Sequence, residues 1–305
     1  MITGRRTSDA DARTRRAPRF TLLAVLLGPA IAVVLLLFGG GLTLGLMQSL
    51  GASPAAEQSR MSLVHFQRVL TDPDFLLSLG LTVYVSLTST LIAAAVSVVA
   101  AVAMVSFQQS RRLVDFVFQL PLTVPHLVIA TAVVFLLAPT GLISRIAQAL
   151  GVVDGAAGFP LMINDTWGMG IIVTYVWKEI PFITLMILSV LENAGNELLE
   201  VGKTLNADRW QRFRYIILPT IFPSLGAACL IVFAYTFGAF EVPYLLGRTY
   251  PMTLPVWAYR NYSDVDLLAR PEGIATGILI AAGVGLSIAC SQLFVQMARR
   301  RGVIL

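Results

Sequence analysis

The chain has 305 residues, 56% of them hydrophobic and 13% charged, with a mean hydropathy of +0.78. Soluble domains carry about a quarter charged residues, so this composition excludes an ordinary water-soluble enzyme and makes lipid the natural solvent. The net charge of +5 then belongs with the cytoplasmic ends of membrane helices, and no nucleic-acid partner is expected.

Six runs are long and apolar enough to cross a bilayer as helices. They lie at about 20–47, 76–107, 114–137, 169–191, 221–246 and 273–297. Residues 1–19 form a tail ahead of the first span, and 48–75 connect it to the second. Residues 76–298 form a five-helix core with a long loop at 192–220, and 299–305 form the last tail. The first span has a basic flank like a signal peptide, but its apolar core exceeds the 7–15 residues of such segments, so it reads as an uncleaved anchor. Small residues stud the second span, among them Ser86, Ser89, Ala93, Ala94, Ala95, Ser97 and Ala101. They allow close helix approach, which favours a packed bundle. Cys229 and Cys290 sit in apolar runs and read as small buried hydrophobes. Two histidines, His65 and His126, provide no cluster for a metal.

Lys and Arg set the orientation. With the N-terminus placed inside, fifteen of the 22 lie on the cytoplasmic side and six on the other, with Lys178 in a span. This asymmetry places both termini in the cytoplasm.

The loop at 192–220 differs from the other connections in being charged and patterned. Residues 197–205 read as a helix, and Asn206 tolerates the left-handed turn that commonly ends one. Asp208 suits the cap of a second helix, with Gln211 three residues later as its capping-box partner. Trp210 and Phe213 form one apolar edge, and Pro219 fits the first turn of the next span. Such a helix-turn-helix suits an interfacial element lying on lipid as well as a docking element for a soluble partner.

Glu200-Val201-Gly202, Leu205-Asn206-Ala207, Trp210-Gln211, Phe213, Ile216 and Leu218-Pro219 resemble the EAA loop of binding-protein-dependent ABC importer permeases. The spacing matches that pattern throughout. Val201-Gly202 replaces its paired alanines, and Asn206 stands where its glycine normally sits. Trp177-Lys178 with Pro181-Phe182 is similar to the fourth-span pattern of the same family. The resemblance implies an all-α integral membrane protein with the type I importer permease fold, a five-helix core plus one N-terminal helix, in the bacterial inner membrane. It implies that Glu200, Gly202, Asn206, Ala207, Trp210, Phe213, Leu218 and Pro219 couple the chain to a cytoplasmic ATPase present in two copies. A second permease subunit, expected to be a different chain, and an extracytoplasmic substrate-binding protein complete the implied assembly. The chain has no GxxxxGK[ST] phosphate loop, so no cofactor is expected in it. ATP and magnesium are expected on the partner ATPase.

Ionisable groups at membrane depth are costly and usually face a bundle interior. Lys178, Glu179 and Glu241 are therefore candidates for the translocation path, weighed against a structural ion pair or, for Glu241, a rim position. His126 is a weaker candidate beside a possible kink at Pro125. The stretch 238–247 resembles permeases serving polyamines and related small solutes, so a polyamine is the expected cargo class. A secondary transporter or channel would explain six helices and buried charge but not the patterned loop. A membrane-embedded enzyme is a weaker rival, since His126 is the one histidine placed in a span and HExxH is absent from the sequence.

Overall fold

The computed structural model describes residues 17–51, 61–106, 111–193, 204, 206–267 and 269–300. Among these residues the regular elements are helical. In chain order they are α1 (Ala17–Val34), a π-turn (Leu35–Gly39), α2 (Gly40–Ser49), α3 (Val64–Thr71), α4 (Pro73–Ser106), α5 (Arg111–Thr123), α6 (His126–Leu137) and α7 (Leu142–Ala149). There follow α8 (Met169–Asn193), α9 (Arg209–Arg212), a second π-turn (Phe213–Ile217), α10 (Leu218–Gly238), α11 (Glu241–Leu246), α12 (Leu254–Tyr262) and α13 (Arg270–Arg300). Among the described residues six stretches are long and apolar enough to cross a membrane; the third lies at His126–Ala149 and the fifth at Arg209–Gly238, not at the expected 114–137 and 221–246.

The second and fourth spans make the centre of the bundle. On α4 the residues Ser78, Thr82, Ser86, Ser89, Thr90, Ala93, Ser97 and Ala101 are buried. They recur every three or four positions, which is one helix face. Their small side chains bring α4 against α8. Their hydroxyls are satisfied largely within the helix: Thr82 donates to the Ser78 carbonyl at 2.6 Å and Thr90 to that of Ser86 at 2.7 Å. Two bonds cross between helices: Ser97 of α4 donates to the Ile180 carbonyl at 2.9 Å, and Ser224 of α10 to that of Met186 at 3.0 Å. α8 is thereby fastened to α4 on one side and α10 on the other. Such bonds are modest, about 0.6 kcal/mol each in lipid, so close packing carries most of the association.

Apolar side chains fill this frame in three clusters. Val85, Ile129, Ile171 and Tyr175 join α4, α6 and the start of α8. Ala93, Ile183, Ile187, Ile221 and Val232 join α4, α8 and α10. Val69, Phe75, Phe237, Leu254 and Trp257 seat α3 and α12 on the ends of α4 and α10. By contrast the first span is peripheral. Leu36, Leu37 and Phe38 are 74%, 74% and 69% exposed, as expected of a helix facing lipid. It meets the bundle where α2 packs on α13, with Gly45 against Ile274 and Ile278.

Two expected spans are interrupted, both for the same reason. The run 114–137 breaks between α5 and α6 at Val124-Pro125. The run 221–246 breaks at Ala239-Phe240, so that Glu241 opens α11 instead of closing the fifth span. In each case a proline cannot donate to the carbonyl four residues upstream, and its ring clashes there. Pro125 stands as the N-cap of α6. Pro243 falls in the first turn of α11, where its missing N–H has no partner to lose. The expected open connections also hold helices: α3 within 48–75, α7 within 138–168 and α12 within 247–272. The turn into α7 requires a glycine, because a Cβ on Gly141 would lie 2.7 Å from the Leu136 carbonyl oxygen. Neither cysteine is fully buried: Cys229 is half-buried and Cys290 is exposed. An apolar span facing lipid leaves its side chains uncovered by protein, which composition cannot distinguish from core.

Candidate functional site

The first site is the described part of the patterned loop. Glu200 and Gly202 lie outside the described residues, as does most of the helix expected at 197–205. From Asn206 onward the local sequence dictates the geometry. Asn206 adopts φ 52°, a region that asparagine tolerates better than most non-glycine residues. Asp208 then caps α9 reciprocally. Its Oδ1 accepts from the Gln211 amide at 2.7 Å, and its own amide donates to Gln211 Oε1 at 3.0 Å. Ala207 between them is half-buried.

Trp210 and Phe213 stack at 5.6 Å between ring centroids. Trp210 remains 68% exposed, so this aromatic edge is not absorbed by the bundle. α9 passes through the π-turn into α10 without interruption, giving one helix over Arg209–Gly238. Leu218 is half-buried and Pro219 exposed at the start of α10. Pro219 thus stands in the first turn of α10, as expected, although α10 is continuous with the helix before it. The wide turn at Phe213–Ile217 directly precedes it, the kind of local widening that accommodates a proline ring.

The second site is a cavity of about 390 Å³ at the break between α5 and α6, just ahead of the third span. Val124, Pro125, His126, Lys178, Glu179 and Tyr235 are among the residues that line it. The break exposes the end of α5, and α8 presents two consecutive charged residues to it. Lys178 is 6% exposed. Its Nζ donates to the carbonyl oxygens of Pro121, Leu122 and Val124, the last two at 3.2 and 2.6 Å. Glu179 is 8% exposed, and its Oε1 lies 3.2 Å from His126 Nε2. The His126 ring in turn packs on Tyr235, with centroids 4.7 Å apart.

Lys178 and Glu179 thus come together at one cavity, while Glu241 does not join them. It is exposed on α11, beyond the break that ends the fifth span. Tyr235 and Pro125 carry much of the cavity's shape and were not expected as site residues. Pro125 was signalled by its place in an apolar run. Tyr235 carried no signal, because an aromatic residue in a span is ordinary. Among the described residues no group of three His, Cys, Asp or Glu is placed to hold a metal.

Residues 93–301 match the family of binding-protein-dependent transport system inner membrane components. The sulfate transport system permease protein CysT of Escherichia coli K12 is 26% identical over 244 residues, 79% of this chain and 84% of its own. The molybdenum transport system permease protein ModB of Azotobacter vinelandii is 27% identical over 166 residues, 54% of this chain and 70% of its own. The spermidine/putrescine transport system permease protein PotB of Haemophilus influenzae is 31% identical over 137 residues, 45% and 46% of the two chains. Among solved structures, a bacterial ABC transporter that imports alginate superposes with a TM-score of 0.76 at 20% identity, covering 95% of this chain and 99% of that one. With its six apolar helices, the chain is a multi-pass inner-membrane protein and belongs to the binding-protein-dependent permease family of type I ABC importers.

Proposed function

We propose that this chain forms half of the translocation path of an ATP-driven importer and is moved by a cytoplasmic ATPase through the loop 192–220. One observation carries this reading. The turn at Asn206 and the capping box at Asp208 and Gln211 lead into a single helix running from Arg209 to Gly238. A force applied to the loop therefore acts directly on a span that borders the cavity. Glu200, Gly202, Asn206 and Ala207 would meet the ATPase, with Trp210 and Phe213 shaping the contact and Leu218-Pro219 joining it to the span. Two ATPase copies would bind ATP and magnesium, and a second, different permease subunit would complete the path. A binding protein would deliver cargo on the outer side, with both termini of this chain in the cytoplasm.

The cargo is a small solute. The resemblance of residues 238–247 to polyamine-type permeases supports a polyamine, as does the relative named for spermidine and putrescine. Sulfate or a related oxyanion is the second reading, favoured by the longer alignment with the sulfate permease.

The test is Glu200→Arg. It is expected to leave membrane insertion intact while uptake is lost and ATP hydrolysis no longer responds to the loaded binding protein. Uptake at the wild-type rate would refute the coupling role. Comparing uptake of labelled spermidine and labelled sulfate decides between the two cargo classes.

A further inference from the structure

Pro125 has no backbone N–H, so the Pro121 carbonyl loses the donor that an unbroken helix would give it. The same break separates the end of α5 from the amides of the next turn, leaving terminal carbonyls in need of partners. A buried carbonyl left without a donor is costly. Lys178 reaches across from α8 with an ammonium that has three donors, and it donates to Pro121, Leu122 and Val124. Its charge also lies at the negative end of the α5 dipole. The next residue along, Glu179, meets His126 on the opposite side of the break. Two consecutive residues of the fourth span thus hold both sides of the break that precedes the third.

We propose that Lys178 is a positioning residue for transport. It braces the Val124-Pro125 break and so fixes the junction of α5 and α6 that opens the cavity beside His126. It acts through the α5 backbone and not by touching the solute, since its donors all end on carbonyls. The brace itself follows from the hydrogen bonds, whereas its effect on transport rests on the permease reading above.

The test is a mutant cycle in the full chain, reconstituted in phosphatidylethanolamine–phosphatidylglycerol nanodiscs. The variants are Lys178→Met, Lys178→Arg, Pro125→Ala and Lys178→Met combined with Pro125→Ala. Lys178→Met is expected to raise the unfolded fraction by about tenfold, the effect of leaving one such carbonyl unpaired. Lys178→Arg should restore most of the loss. In the Pro125→Ala background the new backbone N–H can serve the Pro121 carbonyl, so Lys178→Met should have a much smaller effect there. A neutral Lys178→Met, or an equal effect in both backgrounds, overturns the brace.

ATP hydrolysis by the chain assembled with its ATPase gives the second readout. It should fall in Lys178→Met and recover in Lys178→Arg. Unchanged hydrolysis beside a coupled unfolding cycle overturns the positioning role while leaving the permease reading intact. A wild-type chain that engages no ATPase overturns the permease reading, and the unfolding cycle still decides the brace.

Discussion

Asn206 offers a quantitative test of the loop. Its φ of 52° lies where an ordinary L-residue incurs about 1–2 kcal/mol, a cost that glycine escapes and asparagine partly offsets with local hydrogen bonds. Asn206→Ala should therefore disfavour the turn by about 1 kcal/mol, and Asn206→Gly should leave it unchanged or favour it. A change of about 1 kcal/mol alters a two-state population by roughly fivefold. If the turn presents the loop to an ATPase, the concentration of ATPase needed for half-maximal hydrolysis should rise about fivefold in Asn206→Ala and not in Asn206→Gly. Titrating the purified ATPase into nanodiscs carrying each variant measures this directly. Equal behaviour of the alanine and glycine variants, or tighter engagement by alanine, would refute the argument from backbone geometry.

Three further outcomes follow from particular contacts. Asp208→Ala removes one arm of the capping box and should destabilise the start of α9 by about 1 kcal/mol, seen as faster amide hydrogen exchange confined to Arg209–Arg212. Ala93 is fully buried between α4, α8 and α10; Ala93→Leu should destabilise by about 1–3 kcal/mol through overpacking, whereas Ala95→Leu, on the exposed face, should leave the thermal midpoint unchanged. Tyr250 donates to Asp74 Oδ1 at 2.9 Å, and this hydrogen bond, followed by burial and the Asp74 charge, pushes its phenol above the ordinary value. The contact between the α11–α12 connection and α4 should accordingly persist below the usual phenol range and be lost as pH rises through the raised value. Ultraviolet difference titration against Tyr250→Phe should show this, and Asp74→Asn should bring the transition down.

Local chemistry made the loop legible. Asn206, Asp208 and Gln211 act on backbone within a few residues of themselves, so spacing alone predicted the turn and the cap. The spans were legible in number because lipid demands apolar length. Their interruptions were not, because hydropathy averages over Pro125 and Pro243 without registering that each deletes a backbone donor. Lys178 shows the deeper limit. Its partners are main-chain carbonyls 54–57 positions away, and no side-chain pattern marks a carbonyl as bereft. Glu241 was read at the outer end of a continuous helix, whereas the break at Ala239 turns it onto the separate α11. Its apparent depth came from counting residues along a span that had already ended.

The uninterrupted run from Arg209 to Gly238 has a mechanical consequence. Thirty residues at the helical rise make a shaft about 45 Å long. Tilted by about 10° around one end, such a shaft carries the other end roughly 8 Å. Under the coupling proposed above it would work as a crank: a small push on its basic foot would become a stroke comparable to the size of a solute at its head. The π-turn at Phe213–Ile217 lies beside the foot, so flexing of such a crank would concentrate near where it is pushed.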